Sequence, residues 1–320
     1  MLRSFTRTHG RRPTIGVLVF AMRAASSSRA ESCSASNAPL PYTLRQKWQQ
    51  SHDSWLLRFD LPPSRRWLDE DTSLPTCIKV LYPNGTDEAG APKPLEKSYS
   101  PVSHPSAEGY VDLLVKAYTP RPGGGVGAYL CSLEVGDTML GTVKSKRMMH
   151  GDASVLGRWA NVGLVAGGTG IAPLVQIARI LLEDEGPTLV NGHPTRVHLL
   201  SINRYEEDIL MRADLDAMAK AHPDRFFVSY SLTALPAPED WEGFSGRGDA
   251  AMVAAALPPP TLDGSTQILV CGTDGFVATW GGAVGRAPNK PDGSKGGKVQ
   301  GPLRGLLAEA GFEAAEVFKY

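Results

Sequence analysis

Four short strings carry residue types that could do chemistry. Gly167-Gly-Thr-Gly-Ile-Ala-Pro173 sets glycines beside a hydroxyl. Glycines let the backbone approach a pyrophosphate, and the free N–H groups of a helix start attract an anion. Pro173 stands where the common dinucleotide fingerprint has its third glycine, and no Lys-Ser/Thr follows as in a P-loop. Alone, the string reads as a structural turn or as a phosphate site. Gly123-Gly-Gly-Val-Gly-Ala128 matches G-x-G-x-x-A, but it follows a strand signal in a β-rich stretch, where a flexible hairpin is the plainer reading. Lys97-Ser-Tyr-Ser-Pro-Val-Ser103 places a cation, an aromatic plane and hydroxyls together. In a strand, Lys97, Tyr99 and Pro101 share one face and Ser98 and Ser100 the other. Such a set can hold a charged aromatic ligand, or it is a buried Tyr with solvated neighbours. Cys271-Gly-Thr-Asp-Gly-Phe276 ends an apolar run with a thiol, which either touches a ligand or fills a core.

Two kinds of scaffold must position these strings. From Pro41 to Lys146 the pattern is strand-like. Ser54 to Leu61, Thr76 to Tyr82 and Tyr110 to Tyr118 are rich in β-branched and aromatic residues and bounded by turn formers. Strands without intervening helices predict an antiparallel barrel or sandwich. After about Gly157 strands alternate with helices. Strands are expected at Val162–Ala166, Val197–Ile202, Phe226–Leu232 and Gln267–Cys271, and helices at Leu174–Glu183 and Glu206–Ala221. That order predicts a parallel sheet with helices on both faces and ligands at the carboxyl ends of its strands. Residues 281–300 read as a polar flexible loop, and the chain shows no internal repeat.

Composition narrows the function classes. A length of 320 residues suggests two domains, and 42% apolar residues suffice for ordinary cores. Lys and Arg total 33 and Asp and Glu 33, so the basic surplus of a nucleic-acid binder is missing. Cys33, Cys77, Cys131 and Cys271 are scattered without a C-x-x-C pair, which argues against a disulfide framework or a zinc site. Residues 1–38 hold six arginines, seven serines and one acid. This is the composition of a mitochondrial transit peptide. The apolar run Ile15 to Met22 keeps a secretory signal open, and a tail without an address is the third reading. Without that segment, 33 − 6 = 27 basic residues face 33 − 1 = 32 acidic ones, a formal charge of −5.

Together the four strings resemble the ferredoxin-reductase superfamily, and most closely the NADH–cytochrome-b5 reductase family. They stand in the order of that family's R-P-Y-T/S, G-G-x-x-S, G-G-T-G-I-T/A-P and C-G-x-x-x-F/M. Val115-Lys-Ala-Tyr118, Val135-Gly-Asp137, Ser201 to Leu210 and Val317-Phe-Lys-Tyr320 resemble further segments of the family, and the likeness covers about residues 40–320. The resemblance implies a β + α/β fold. A targeting or disordered segment, 1–38, would precede an antiparallel FAD-binding β-barrel, 39–156, and a doubly wound parallel-sheet domain for the nicotinamide coenzyme, 157–320. It implies that Tyr99 lies against the flavin ring and that Ser100 bonds near its N5, with Lys97 and Lys116 facing negative and polar groups of FAD. Gly124, Gly125, Val126 and Gly127 would offer backbone N–H groups to the FAD pyrophosphate. Gly168, Thr169 and Gly170 would hold NADH, with Thr169 near the stacked rings. Cys271, with Gly272 and Phe276 of its string, would position the nicotinamide rather than attack it. Hydride transfer from nicotinamide C4 to flavin N5 needs no acid–base pair, so orientation and exclusion of water are the protein's part.

Three positions depart from the family pattern: Lys97 replaces Arg, Ser98 replaces Pro and Gly127 replaces Ser. FAD is expected to bind, less tightly, because a two-pronged grip and a hydroxyl are lost. The family's acid at the end of the third strand of the coenzyme domain is Thr233 here, with Arg247 following. A carboxylate repels a 2′-phosphate and a hydroxyl does not, so use of NADPH beside NADH is expected. The implied acceptor is cytochrome b5 or a similar haem protein, docking on a basic patch such as Lys144, Lys146 and Arg147. An oxygenase, a ferric chelate or a quinone are rival acceptors, and a non-catalytic nucleotide-binding scaffold is the rival of another class. No metal is expected, and membrane association, if any, is expected through the N-terminus alone.

Overall fold

The computed structural model describes residues 38–69, 71, 75–87, 89–118, 125–144, 155–183, 192–234, 239–261, 263–289, 291 and 296–320. Residues 1–37 of the expected presequence, Gly124, Lys146 and Arg147 lie outside them.

The first half folds as the alternation of its strands dictates. β1 (Leu40–Ser51), β2 (Ser54–Asp60), β3 (Cys77–Tyr82), β4 (Leu95–Tyr99), β5 (Tyr110–Lys116) and β6 (Thr138–Lys144) form an antiparallel sheet in the order β4-β3-β6-β1-β2-β5. A bridge between Pro101 and Leu113 brings the chain just past β4 against β5, so the two edge strands meet and the sheet closes. Tyr42, Leu57, Phe59, Ile78, Leu113 and Met139 fill its interior. β5 is buried on both faces, because Leu113 and Val115 point into the barrel while Leu114 joins the core of the second half together with Val102. That shared packing fixes the two sheets against each other within one compact unit, Ala38–Tyr320.

A helix, α1 (Val126–Ser132), begins within the Gly123–Ala128 stretch expected to form a flexible hairpin; Gly123 and Gly124 lie outside the described residues. Val126 and Leu130 supply the apolar face that docks it on the barrel, and that burial outweighs the glycine content of its start. Gly127 has a steric reason to be glycine. A Cβ there would stand 2.7 Å from the Lys116 carbonyl oxygen.

In the second half, β7 (Asn161–Gly167), β8 (Arg196–Asn203), β9 (Phe226–Leu232), β10 (Phe244–Ser245), β11 (Thr266–Cys271) and β14 (Val317–Lys319) build a parallel sheet in the order β10-β9-β8-β7-β11-β14. α2 (Ile171–Glu183) and α3 (Arg212–Ala221) cover one face. α4 (Ala250–Ala256), α5 (Asp274–Gly281) and α6 (Gly305–Glu309) cover the other, around the fully buried Trp280. The expected β + α/β class is therefore the observed one.

Two local expectations are corrected. Glu206–Ala221 is not one helix: a 3₁₀ turn, Glu206–Asp208, precedes α3. Ile209, Leu210 and Met211 are all buried between them, and Met211 turns left-handed (φ 58°) with its N–H held by Gln50 Oε1 at 3.2 Å. Residues 281–300 are not simply a flexible loop either. β12 (Val284–Arg286) and β13 (Lys298–Gln300) pair as an antiparallel ribbon. The Gln300 amide clamps the backbone of Lys319, donating to its carbonyl at 2.8 Å and accepting from its N–H at 3.0 Å. The buried Lys319 ammonium donates to the carbonyls of Gly281 (3.1 Å), Gly301 (2.7 Å) and Pro302 (3.2 Å). Polar residues look flexible in a sequence until their partners on β14 are known.

Candidate active site

The order of the parallel sheet has its switch point between β7 and β11, where a doubly wound fold opens a crevice at the strands' carboxyl ends. β7 runs there into a 3₁₀ turn, Gly168–Gly170, which leads directly into α2. β11 ends beside it at Cys271. The two chains touch backbone to backbone: a Cβ on Gly170 would collide with the Cys271 carbonyl and the Gly272 amide. The Phe276 ring packs flat over Gly167 and Gly272 from the first turn of α5, whose start Thr273 caps by accepting from the Phe276 N–H at 3.3 Å. Phe276 thus wedges the crevice floor.

A cavity of about 750 Å³ joins the two halves, with Lys97, Tyr99, Ser100 and Lys116 on the barrel side and Thr169, Cys271 and Gly272 on the other. A second, of about 680 Å³, continues from it and shares Lys116, Thr169, Cys271 and Gly272 as walls. Gly168, Gly170, Phe276 and Thr233 line this one. The three predicted strings that the structure describes in full, 97–103, 167–173 and 271–276, therefore converge. Gly125, Val126 and Gly127 line neither cavity; Gly127 packs behind them, against Lys116 and near the Tyr99 hydroxyl.

Charges in the crevice are arranged unevenly. The Lys97 ammonium stands over the Tyr99 ring at 5.4 Å and the Tyr118 ring at 5.3 Å, with no carboxylate partner among the described residues. Lys116, which lines both cavities, also holds Asp53 Oδ2 at 2.6 Å. Burial alone would raise the Asp53 carboxyl, but hydrogen bonds from Lys116 and Ser54 and the Lys116 charge hold it below the ordinary carboxylate value. Burial pushes the Cys271 thiol up to about 12, against weaker opposing pulls from Lys298 and the Gly272 N–H, so it is a neutral thiol rather than a nucleophile at pH 7. Burial likewise raises the Tyr99 phenol, whose oxygen has no hydrogen-bond partner among the described residues.

Comparison with known proteins decides what this crevice belongs to. Residues 41–144 match the family model "Oxidoreductase FAD-binding domain" and residues 164–280 match "Oxidoreductase NAD-binding domain". NADH-cytochrome b5 reductase 2 of Mycosarcoma maydis is 32% identical over 279 residues, covering 87% of this chain and 71% of its own. NADH-cytochrome b5 reductase 2 of Mus musculus is 34% identical over 254 residues, covering 73% and 85%. The chain belongs to the NADH-cytochrome b5 reductase family. The reductase also shares its fold with the cytochrome b5 reductase domain of Ulva prolifera nitrate reductase, at a TM-score of 0.64, 24% identity and coverage of 88% and 97%. It is an FAD- and NAD-binding oxidoreductase.

The residues of the reductase's larger cavity fit a flavin. The cavity offers an aromatic plane in Tyr99, a cation in Lys97, and wall residues whose buried polar atoms have no hydrogen-bond partner among the described residues. Sequence pattern alone does not mark Arg204 at the wall or Asp53 behind Lys116. Arg204 and Arg247 both line the smaller cavity beside Thr233, yet only Arg247 stood out in the sequence. Arg204 hides inside the Ser201–Leu210 segment, and the backbone pairing Thr233 N–H to Asn203 O (2.9 Å) is what brings it alongside. Asp53 had no motif at all. It sits in the turn between β1 and β2, its carboxylate accepting from the Ser51 and Ser54 hydroxyls at 3.2 and 2.9 Å while it orients Lys116.

Proposed function

We propose that this reductase oxidises NADH through FAD held in the larger cavity and passes electrons singly to a haem protein such as cytochrome b5. The observation that carries the reading is the shared wall. Residues of the flavin string and residues of the nicotinamide string border one crevice, so two planar rings can be stacked with water excluded. FAD, when bound, supplies a hydride acceptor that can release its electrons one at a time. The chain's own part is positional. Tyr99 offers a stacking plane, Ser100 a hydroxyl at the flavin, and Lys97 and Lys116 positive charge. Gly125 to Gly127 retain a role toward the FAD pyrophosphate only on the strength of the family pattern. Thr169 and the neutral Cys271 thiol set the lateral position of the nicotinamide, while Gly168 and Gly170 let its dinucleotide approach.

Two finer points belong to the same proposal. Arg204 and Arg247 flank Thr233 without a carboxylate partner among the described residues, which supports use of NADPH as well as NADH. For the acceptor, the β12–β13 ribbon is favoured over the patch at Lys144. Arg286 and Lys298 stand directly opposite each other in its register, so two like charges share a face with no carboxylate partner among the described residues. An acidic protein surface would relieve that repulsion, and Lys298 lines the flavin cavity, close to where electrons would leave. A mitochondrial address in residues 1–38 completes the proposal, to be tested by fusing them to a reporter.

Anaerobic titration with NADH, followed by oxidised cytochrome b5, tests the central claim. The flavin band should bleach with one equivalent of NADH and return on addition of two equivalents of the haem protein. A flavin that bleaches but is reoxidised only by a quinone would replace the acceptor, and one that never bleaches would leave a nucleotide-binding scaffold.

A further inference from the structure

Three residues that line the same cavity each carry a buried polar atom without a hydrogen-bond partner among the described residues: Tyr99 Oη, Thr76 Oγ1 and Gln176 Nε2. Native interiors leave few such atoms, because each orphan forfeits its bonds to water and gains nothing in return. Thr76 is 2% exposed and Gln176 1%. Both are polar in places where an apolar residue would pack, and nothing in the motif pattern accounts for either. Their surroundings explain half of each residue. Gln176 lies on α2, in the second half, and its Oε1 accepts from the Thr76 backbone N–H, in the first half, at 3.0 Å. That bond ties the halves together and leaves the amide nitrogen of Gln176 and the hydroxyl of Thr76, both on residues that border the cavity, without a partner among the described residues.

We infer that Thr76 and Gln176 are positioning residues for FAD, with the Gln176 amide N–H₂ and the Thr76 hydroxyl holding the polar edge of the flavin ring. That edge alternates carbonyl oxygens and N–H, so it needs both a donor and a group that can donate or accept. An amide nitrogen and a hydroxyl are that pair. The same helix begins immediately after the turn Gly168–Gly170, so the residue that grips the flavin and the turn that faces the coenzyme move as one body. Loading FAD then also satisfies the junction between the two sheets. The inference rests on the reading that the flavin occupies this cavity, and the test separates the two.

Thr76→Val, Gln176→Leu, Tyr99→Ala and Lys97→Ala are made in the full chain, stripped of flavin and titrated with FAD by fluorescence quenching, with melting temperatures taken before and after saturation. Thr76→Val keeps the backbone N–H that Gln176 uses and removes only the hydroxyl, so the junction survives. It should weaken FAD binding about tenfold, the loss of one buried hydrogen bond. It should shrink the FAD-induced rise in melting temperature and leave the apoprotein's melting temperature within a degree or so of wild type. Gln176→Leu should weaken FAD binding at least as much and also lower the apoprotein's melting temperature. If Thr76→Val and Gln176→Leu keep the wild-type FAD affinity while Tyr99→Ala and Lys97→Ala lose it, these two residues serve the junction alone and the inference fails. If all four keep wild-type affinity, the flavin lies elsewhere and the reading beneath it fails too.

Discussion

At Lys97 the chain has a cation with no carboxylate partner among the described residues; it rests over two tyrosine rings. A charge-assisted hydrogen bond to a phosphate or a flavin oxygen is worth about 1.5–3 kcal/mol. Lys97→Ala should therefore weaken FAD binding roughly ten- to a hundredfold, at about 1.4 kcal/mol per decade. Lys97→Arg should retain or improve it, since a planar fork grips an anion at two points. Equal FAD affinities in all three proteins would remove Lys97 from the site. At the other end of the crevice, Thr233→Asp puts a carboxylate beside Arg204 and Arg247. kcat/KM for NADPH should fall by at least about tenfold more than that for NADH, because only NADPH carries the phosphate that the new charge repels. A uniform loss with both coenzymes would mean that this corner does not read the ribose.

At the scale of elements, close backbone approach sets what can change. Gly170→Ala should cost roughly 1–3 kcal/mol and lower the melting temperature, because the turn must retreat from Cys271 and Gly272. It should also raise KM for NADH more than it lowers FAD affinity. Gly127→Ser, which would restore the family's hydroxyl, should destabilise the protein instead of tightening FAD, because its Cβ meets the Lys116 carbonyl. Asp53 adds a pH signature. Its carboxyl titrates below the ordinary 3.8 in the folded chain, so its contribution to stability is complete above that value and is lost as the pH falls through the lower, folded one. Asp53→Asn should flatten the melting temperature's fall in that acid range, as read by calorimetry. The strands and the three converging strings were legible because burial imposes a period on sequence, as in Phe226–Leu232, whose bounds were read without error. What escaped depends on distant partners. α1 is set by docking on the barrel, the break before α3 by Gln50, and the ribbon by Lys319. Asp53, Thr76 and Gln176 carry no pattern, since each acquires its meaning from a neighbour far away in the chain.

For the whole molecule, net charge and local charge pull in opposite directions. Residues 39–320 carry 27 basic and 32 acidic side chains, a formal −5, and repel an acidic partner at long range. On the proposed docking, the Arg286–Lys298 face would act at short range. Arg286→Glu should lower kcat/KM for cytochrome b5 several-fold at low salt and flatten its dependence on ionic strength. Turnover with a neutral quinone should stay unchanged. Identical salt profiles in the two proteins would move docking elsewhere, Lys144 being the next place to look. Screening at about 0.1 M salt, with a Debye length near 10 Å, should erase most of the difference.

Burial of the Cys271 thiol also bears on how this enzyme meets oxidants and electrophiles. With burial pushing its titration well above the ordinary thiol range, the thiol is almost wholly protonated at pH 7, and it is the thiolate that reacts. A cysteine in the middle of a redox crevice would therefore be among the last in the chain to be alkylated by iodoacetamide or oxidised by peroxide. Mass-spectrometric labelling over time should show Cys271 modified only after denaturation. The site would then outlast an oxidative burst that disables enzymes built around an exposed, acidic thiol.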